Sequence, residues 1–223
     1  MKILFTKIID EKILSKELDT AISADCVEVI KISNIKVEPF DLKNKSLIFT
    51  SAKGVISFFE NGFRPNEDFT QKNYNKIYCV GVKTKRELQK NGFGTFKVLK
   101  NAETLSQFII EKCPNEDFLH FCGNLALDVL DKKLPLQNIQ YKKATLYRTE
   151  ETNPAINEKY HALVFFSPSG VRSFAKYNSF ENSILFSIGE TTSKELRKHT
   201  IDHIHTSNDN TLTSVFELIR RKI

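Results

Sequence analysis

The stretch LIFTSAKGVISF, Leu47–Phe58, reads as an apolar strand that runs into hydroxyls and then restarts as an amphipathic helix. LVFFSPSGVRSF, Leu163–Phe174, repeats it without gaps, with seven identities in twelve positions. In both copies the apolar run stops just before a serine, Ser51 or Ser167, and a glycine, Gly54 or Gly170, follows three residues later. A serine here suits the N-cap of the next helix, and Pro168 suits the first helical position.

Working outward, the copies stay in step. CVGVKTKREL (Cys79–Leu88) matches SIGETTSKEL (Ser187–Leu196), and TLSQFIIEK from Thr104 pairs with TLTSVFELI from Thr211. The first copy then continues with DFLHFCGNLALDVLDKKL and NIQYKKATLY, where the second has run out of chain. Its missing pieces stand at the other end: MKILFTKIIDEKILSKEL has the same strand-then-helix form, and CVEVIKISNIKVEPF stands for the following strand. The repeat is therefore circularly shifted. It predicts two α/β domains, one inserted at 41–143 and one discontinuous, 1–33 plus 154–223, with linker strands at 34–40 and 144–153. Short strands rich in Ile, Val and Phe alternate with helices of about ten residues, the pattern of a parallel sheet covered on both faces. Five strands per unit predict a flavodoxin-like doubly wound sheet.

Composition sets the outer bounds. The chain has 223 residues, 40% hydrophobic and 27% charged, ordinary values for a globular protein. No apolar run reaches the length of a membrane span, and the N-terminus MKILFTKIID carries no signal-peptide pattern, which predicts a cytoplasmic protein. The four cysteines, Cys26, Cys79, Cys113 and Cys122, include no C-x-x-C pair and read as buried reduced thiols. His203 and His205 alternate as in a strand rather than a metal site. The net charge of +6 is spread over lysines interleaved with acids, as in KTKRELQK and TSKELRK. That dispersal argues against nucleic acid and leaves a polyanionic small ligand open.

Open parallel sheets bind ligands beyond the carboxyl ends of their strands. Helix starts there offer free amides and a favourable dipole to anions. Ser51 and Ser167 mark two such starts; Gly81 and Gly189 lead into Thr84 and Thr192 at two more; Gly123-Asn124 follows the strand FLHFC. Taken singly, a hydroxyl before a helix is only a cap. Its recurrence in both domains points to a ligand cleft lined by hydroxyls and backbone amides. Glycine-rich nucleotide loops, a nucleophile elbow and acidic clusters are all missing from the sequence.

LIFTSAKGV, VGVKTKREL, CGNLALDVL, ATLYRT, FFSPSGVRSF and IGETTSKEL, in that order, resemble the uroporphyrinogen-III synthases, from about Leu47 to Leu196. The resemblance implies two α/β domains joined by a two-stranded ladder. It also implies the reaction: closure of hydroxymethylbilane, a linear tetrapyrrole with eight carboxylates, to uroporphyrinogen III with loss of water and inversion of the last ring. No cofactor or metal takes part. Carried over by position, substrate binding falls on Thr50, Ser51, Lys53, Thr84, Gly123, Asn124, Ser167, Ser169, Gly170, Thr191 and Thr192, and catalysis on Tyr147. Two positions depart from the family pattern: Glu190 where proline is common, and Lys53 where many relatives are neutral. The resemblance further implies a monomer that contacts neither nucleic acid nor membrane and meets, at most transiently, the enzyme that makes hydroxymethylbilane. A different class, a non-catalytic two-domain protein that closes on an anionic ligand, would share the hydroxyl-rich lining but has no need of a phenol at Tyr147.

Overall fold

The computed structural model describes residues 1–69 and 73–223, leaving the side chain of Asn73 aside. The chain divides into two compact units: unit 1 comprises Met1–Lys31 and Glu150–Ile223, and unit 2 comprises Ile32–Thr149.

Unit 1 is built from β1 (Lys2–Phe5), α1 (Glu11–Glu17) and β2 (Ser23–Cys26). The chain then runs through β3 (Ile30–Asn34) into unit 2, which holds β4 (Ser46–Phe49), α2 (Ala52–Glu60), the short pair β5 (Glu67–Asp68) and β6 (Asn73–Tyr74), β7 (Ile77–Val80), α3 (Val82–Lys90), β8 (Lys97–Leu99), α4 (Ala102–Lys112), β9 (Phe118–Gly123), α5 (Val129–Leu136) and the long β10 (Tyr141–Glu151). Unit 1 resumes with β11 (Ala162–Phe165), α6 (Pro168–Ala175), β12 (Ile184–Ser187), α7 (Glu190–Leu196), β13 (Ile204–Thr206) and α8 (Leu212–Lys222).

The sheet of unit 1 has the order β13-β12-β11-β1-β2, all parallel. Read along the chain this is 2-1-3-4-5, the flavodoxin-like order. The sheet of unit 2 runs β3-β10-β9-β4-β7-β8. Beyond the edge strand β3 it matches the first sheet strand for strand, but its chain starts at the third position and ends at the second. Unit 2 is thus the circularly shifted copy, and it has six strands rather than five because β3 pairs with β10. The repeat also corrects one alignment. Asn101 caps α4 and Thr211 caps α8, two helices of eleven residues, so Thr211 corresponds to Asn101 and not to Thr104.

Strand alternation assigns each side chain to a layer. In unit 2, Leu47, Phe49, Leu119 and Phe121 point to one face, where Val55 and Phe58 of α2 and Leu88 of α3 cover them. Ile48 and Phe118 point to the other, under Leu105 and Ile109 of α4 and Leu130 and Leu134 of α5. Unit 1 repeats the plan. Ile3, Phe5, Val164 and Phe186 meet α8 through Val215, Phe216 and Ile219, while Leu4, Leu163, Phe165 and Leu185 meet α6 and α7 through Val171, Phe174 and Leu196. Each unit therefore has its own core on both faces of its own sheet. Cys79, Cys113 and Cys122 lie buried in unit 2, whereas Cys26 is only half-buried; all four thiols are free. No described helix is long and apolar enough to cross a membrane.

Candidate functional site

A doubly wound sheet reverses its strand order at one place, and there the helices leave to opposite faces and open a crevice at the carboxyl ends. In unit 2 that place lies between β4 and β9, and in unit 1 between β11 and β1.

In unit 2 the strand ends deliver a connected set of polar groups. β4 runs out into Thr50 and Ser51. Ser51 is extended and caps α2, its Oγ accepting the Gly54 N–H at 3.0 Å. The same Oγ is 3.0 Å from the phenol of Tyr147. A register shift in β10 between Thr145 and Tyr147 sets Tyr147, rather than Leu146, level with Gly123 of β9, the kind of bulge that re-aims a side chain. A Cβ on Gly123 would lie 2.4 Å from the Tyr147 ring, so only glycine lets the ring cross there. Asn124 then fixes the adjoining stretch of β10: its N–H donates to Tyr147 O at 3.2 Å, and its side chain exchanges bonds with Thr149 O and N at 3.2 and 2.8 Å.

Behind this front stands a residue that the sequence reading passed over. His120, 1% exposed, shares a sheet face with Ile48, Thr50 and Phe118. Its Nε2 lies 2.9 Å from Thr50 Oγ1 and its Nδ1 2.7 Å from Tyr141 Oη. Burial, with Lys143 close by, lowers its pKa to about 4, so the ring is neutral at pH 7. A histidine in the apolar run FLHFC was the available signal, because a buried imidazole needs partners. Burial likewise raises the Tyr147 and Tyr141 phenols, which keep their protons at neutral pH. Thr50, Ser51, His120, Tyr147 and Thr149 line a cavity of about 330 Å³, with Lys100, Asn101 and the loop Leu125–Leu127 around it.

Two other expected residues of unit 2 stand elsewhere. Lys53 is 3.7 Å from Glu60 and thus paired within α2. Thr84 is buried in α3 behind an N-cap that is Gly81, at φ 81°, with no side-chain bond. The helix starts at Gly81 and Gly189 are therefore not hydroxyl-capped, unlike those at Ser51 and Ser167. The threonines sit one turn inside.

Unit 1 shows the matching edge. Ser167 Oγ accepts the Gly170 N–H at 3.0 Å, Pro168 opens α6, and Ser169 Oγ is 3.3 Å from Ser167 Oγ. Gly170 packs on Val29, where a Cβ would meet Cγ2 at 3.0 Å. Thr191 is exposed and Thr192 buried on α7. Glu190 turns to Arg197 at 2.9 Å. Below α7, Ser193 is hydrogen-bonded to Ser187 and, at 2.6 Å, to Thr206, and Thr6 at the end of β1 donates to Val164 O at 2.8 Å. His203, just before β13, and His205, within it, meet edge to face with ring centroids 4.6 Å apart. No group of three or more potential metal ligands occurs among the described residues.

The family model described as uroporphyrinogen-III synthase HemD matches residues 16–217. A uroporphyrinogen-III synthase of Saccharomyces cerevisiae is 27% identical over 54% of this chain and 54% of its own length; the chain thus spans about half of that curated relative. Among solved structures, uroporphyrinogen-III synthetase from Helicobacter pylori superposes with a TM-score of 0.66 at 21% identity, covering 99% of this chain and 98% of its own. A mutant uroporphyrinogen III synthase of Thermus thermophilus gives 0.68 at 12% identity, covering 99% and 97%. These likenesses show a shared fold.

Proposed function

Because the chain belongs to the uroporphyrinogen-III synthase family, we propose that it cyclises hydroxymethylbilane to uroporphyrinogen III, releasing water and inverting the last ring. The observation that carries this reading is the Ser51–Tyr147 pair at the switch point of unit 2, on the wall of a cavity, with a phenol that holds its proton at neutral pH.

The direction of that pair matters. Ser51 Oγ already accepts from Gly54, so its own proton is free to point at Tyr147 Oη. The phenol then keeps its proton for the substrate. Tyr147 donates it to the hydroxyl of the hydroxymethyl group, the C–O bond breaks, and water departs from an azafulvene cation. Ser51 stabilises the phenolate left behind. With the Ser51 proton and the Asn124 N–H engaged by Tyr147, the Thr50 hydroxyl is the side-chain donor of this edge on the cavity wall, and we assign Thr50, Ser51, Gly123 and Asn124 to the edge that holds the substrate's carboxylates. Ser167, Ser169, Gly170, Thr191 and Thr192 carry the same donor chemistry at the strand ends of unit 1, and we assign them to carboxylate binding as well. Lys53, paired with Glu60, and Thr84 and Thr192, buried inside α3 and α7, are the weakest members of the set on geometry. Since ring closure also occurs unaided, without inversion, the protein's contribution is to hold one conformer and to support the departing oxygen. The reading requires no cofactor and one copy of the chain.

Incubating the purified protein with enzymatically made hydroxymethylbilane tests this. The oxidised product, separated by chromatography, is expected to be mainly the type III isomer. Type I product alone, at the rate of a protein-free control, rejects the synthase reading. If the protein nevertheless binds the bilane, it is the non-catalytic binding protein of the alternative.

A further inference from the structure

Thr50, His120 and Tyr141 form a chain of two hydrogen bonds, at 2.9 and 2.7 Å, that leads from the apolar α4/α5 side of the unit 2 sheet to the cavity wall. A neutral imidazole has one donor and one acceptor nitrogen, so the chain has a direction. If Thr50 donated to Nε2, then Nδ1–H would donate to Tyr141, and the phenol proton would need another acceptor. Among the described residues Tyr141 Oη has none besides His120, and its ring packs against the apolar α4/α5 layer. Tyr141 is half-buried, and burial is what raises its phenol, so a phenol proton with no protein acceptor on that side is costly. In the opposite direction Tyr141 donates to Nδ1, Nε2–H donates to Thr50 Oγ1, and the one unpaired proton is that of Thr50, on the cavity wall where water or ligand can accept it.

We infer that His120, held as its Nε2–H tautomer by Tyr141, is a positioning residue that presents Thr50 as an obligatory hydrogen-bond donor to the anionic or departing oxygen of the substrate. The inference rests on the synthase reading for the identity of that substrate but not for the tautomer. It also explains why so polar a ring sits in the central strand: with the hydroxyl oxygen of Thr50 occupied by Nε2–H, its proton has only the cavity to turn to. Hydrogen bonds in such a chain polarise one another, which strengthens the last donor.

Two measurements test it. Long-range nitrogen–proton correlation spectra of the 15N-histidine protein at pH 7 should show His120 protonated on Nε2 alone, and Tyr141→Phe should mix the tautomers. An Nδ1–H tautomer in the wild type overturns the proposal, whatever the activity. The second is a double-mutant cycle on type III formation. His120→Leu in the wild-type background should lower kcat/KM about tenfold, the size of one lost charge-assisted bond, and His120→Gln should recover part of it. In a Thr50→Val background His120→Leu should cost less than about twofold, because its effect passes through a hydroxyl already removed. Equal losses in both backgrounds overturn the relay. If His120→Leu fails to fold, the tautomer and Tyr141→Phe still decide. A wild type with no type III product but the Nε2–H tautomer refutes the synthase reading and leaves the presented donor standing.

Discussion

Tyr147→Phe removes one oxygen and keeps the ring that lies over Gly123. Its stability should therefore stay close to that of the wild type. Type III formation should slow by up to the 10²–10⁴-fold typical of a general acid, and a loss under about tenfold would show that positioning carries most of the rate. His120 makes a prediction of a different kind, about stability. Its folded pKa of about 4 lies below the usual 6.5, so the folded protein prefers the neutral ring. The resulting stability is complete above about pH 6.5 and is lost as pH falls from there through 4, where the unfolded chain binds a proton that the folded one refuses. The shift corresponds to about 3 kcal/mol. Denaturant melts across that window should be steeper in pH for the wild type than for His120→Gln; parallel slopes would assign the acid sensitivity to other groups. The Ser51 cap could be read from sequence because hydroxyls at strand ends follow a pattern, whereas Tyr147 was marked by resemblance alone. His120 could not, because its role depends on the lateral register of three strands, Ile48 beside His120 beside Lys143, which no linear spacing encodes.

Among the elements, the strand-to-helix turns at Ser51 and Ser167 look interchangeable in sequence but are not under the same load. Each serine caps its helix, and Ser167→Ala should cost about 0.5–2 kcal/mol, with the protein still folded. Activity that stays normal while the melting temperature falls would reduce Ser167 to a cap. The glycines differ more. A methyl on either would crowd its capping serine Oγ at 3.1 Å, but one on Gly54 would also lie 2.9 Å from the backbone carbonyl oxygen of Phe121, whereas one on Gly170 would meet a side-chain methyl of Val29 at 3.0 Å. Gly54→Ala must shift α2 off β9, and with it the Ser51 hydroxyl off Tyr147. It should cost about 1–3 kcal/mol and slow turnover; Gly170→Ala should do less of both, because a side chain can yield where backbone cannot. Equal penalties in thermal melts and kinetics would contradict this. The repeat made both turns legible as strand, cap and helix. It misplaced the caps at Gly81 and Gly189, because a threonine three residues past a glycine looks the same whether it closes the helix end or lies buried inside the first turn. The third pair of helices was out of register for a similar reason: Thr104 reciprocates in the capping box of Asn101, and Thr211 is itself the cap.

For the whole molecule, the relevant fact is that none of the four apolar clusters mixes residues of the two units. A fragment spanning 30–151, which keeps β3 and β10 whole, should therefore fold alone, with a cooperative melt and the dispersed amide spectrum of a packed sheet. A collapsed, non-cooperative fragment would show that unit 2 depends on its host. The two-unit, parallel-sheet plan was legible from the shifted repeat. Which copy carries the ordinary strand order was not, since a circular shift has no marked origin until the sheets are ordered in space. That order has a consequence for synthesis. β1 and β2 leave the ribosome well before β11, yet β1 lies between β2 and β11 in the finished sheet. At ordinary elongation rates of about 5–20 residues per second β11 follows β2 by about 7 to 27 s. Unit 2 is translated without a break during that interval, so it can close while Ile3, Leu4 and Phe5 still wait for a neighbour. The nascent chain thus holds a finished domain and a strand whose β11 edge is still open, and that open edge is where a holding chaperone would be expected to bind.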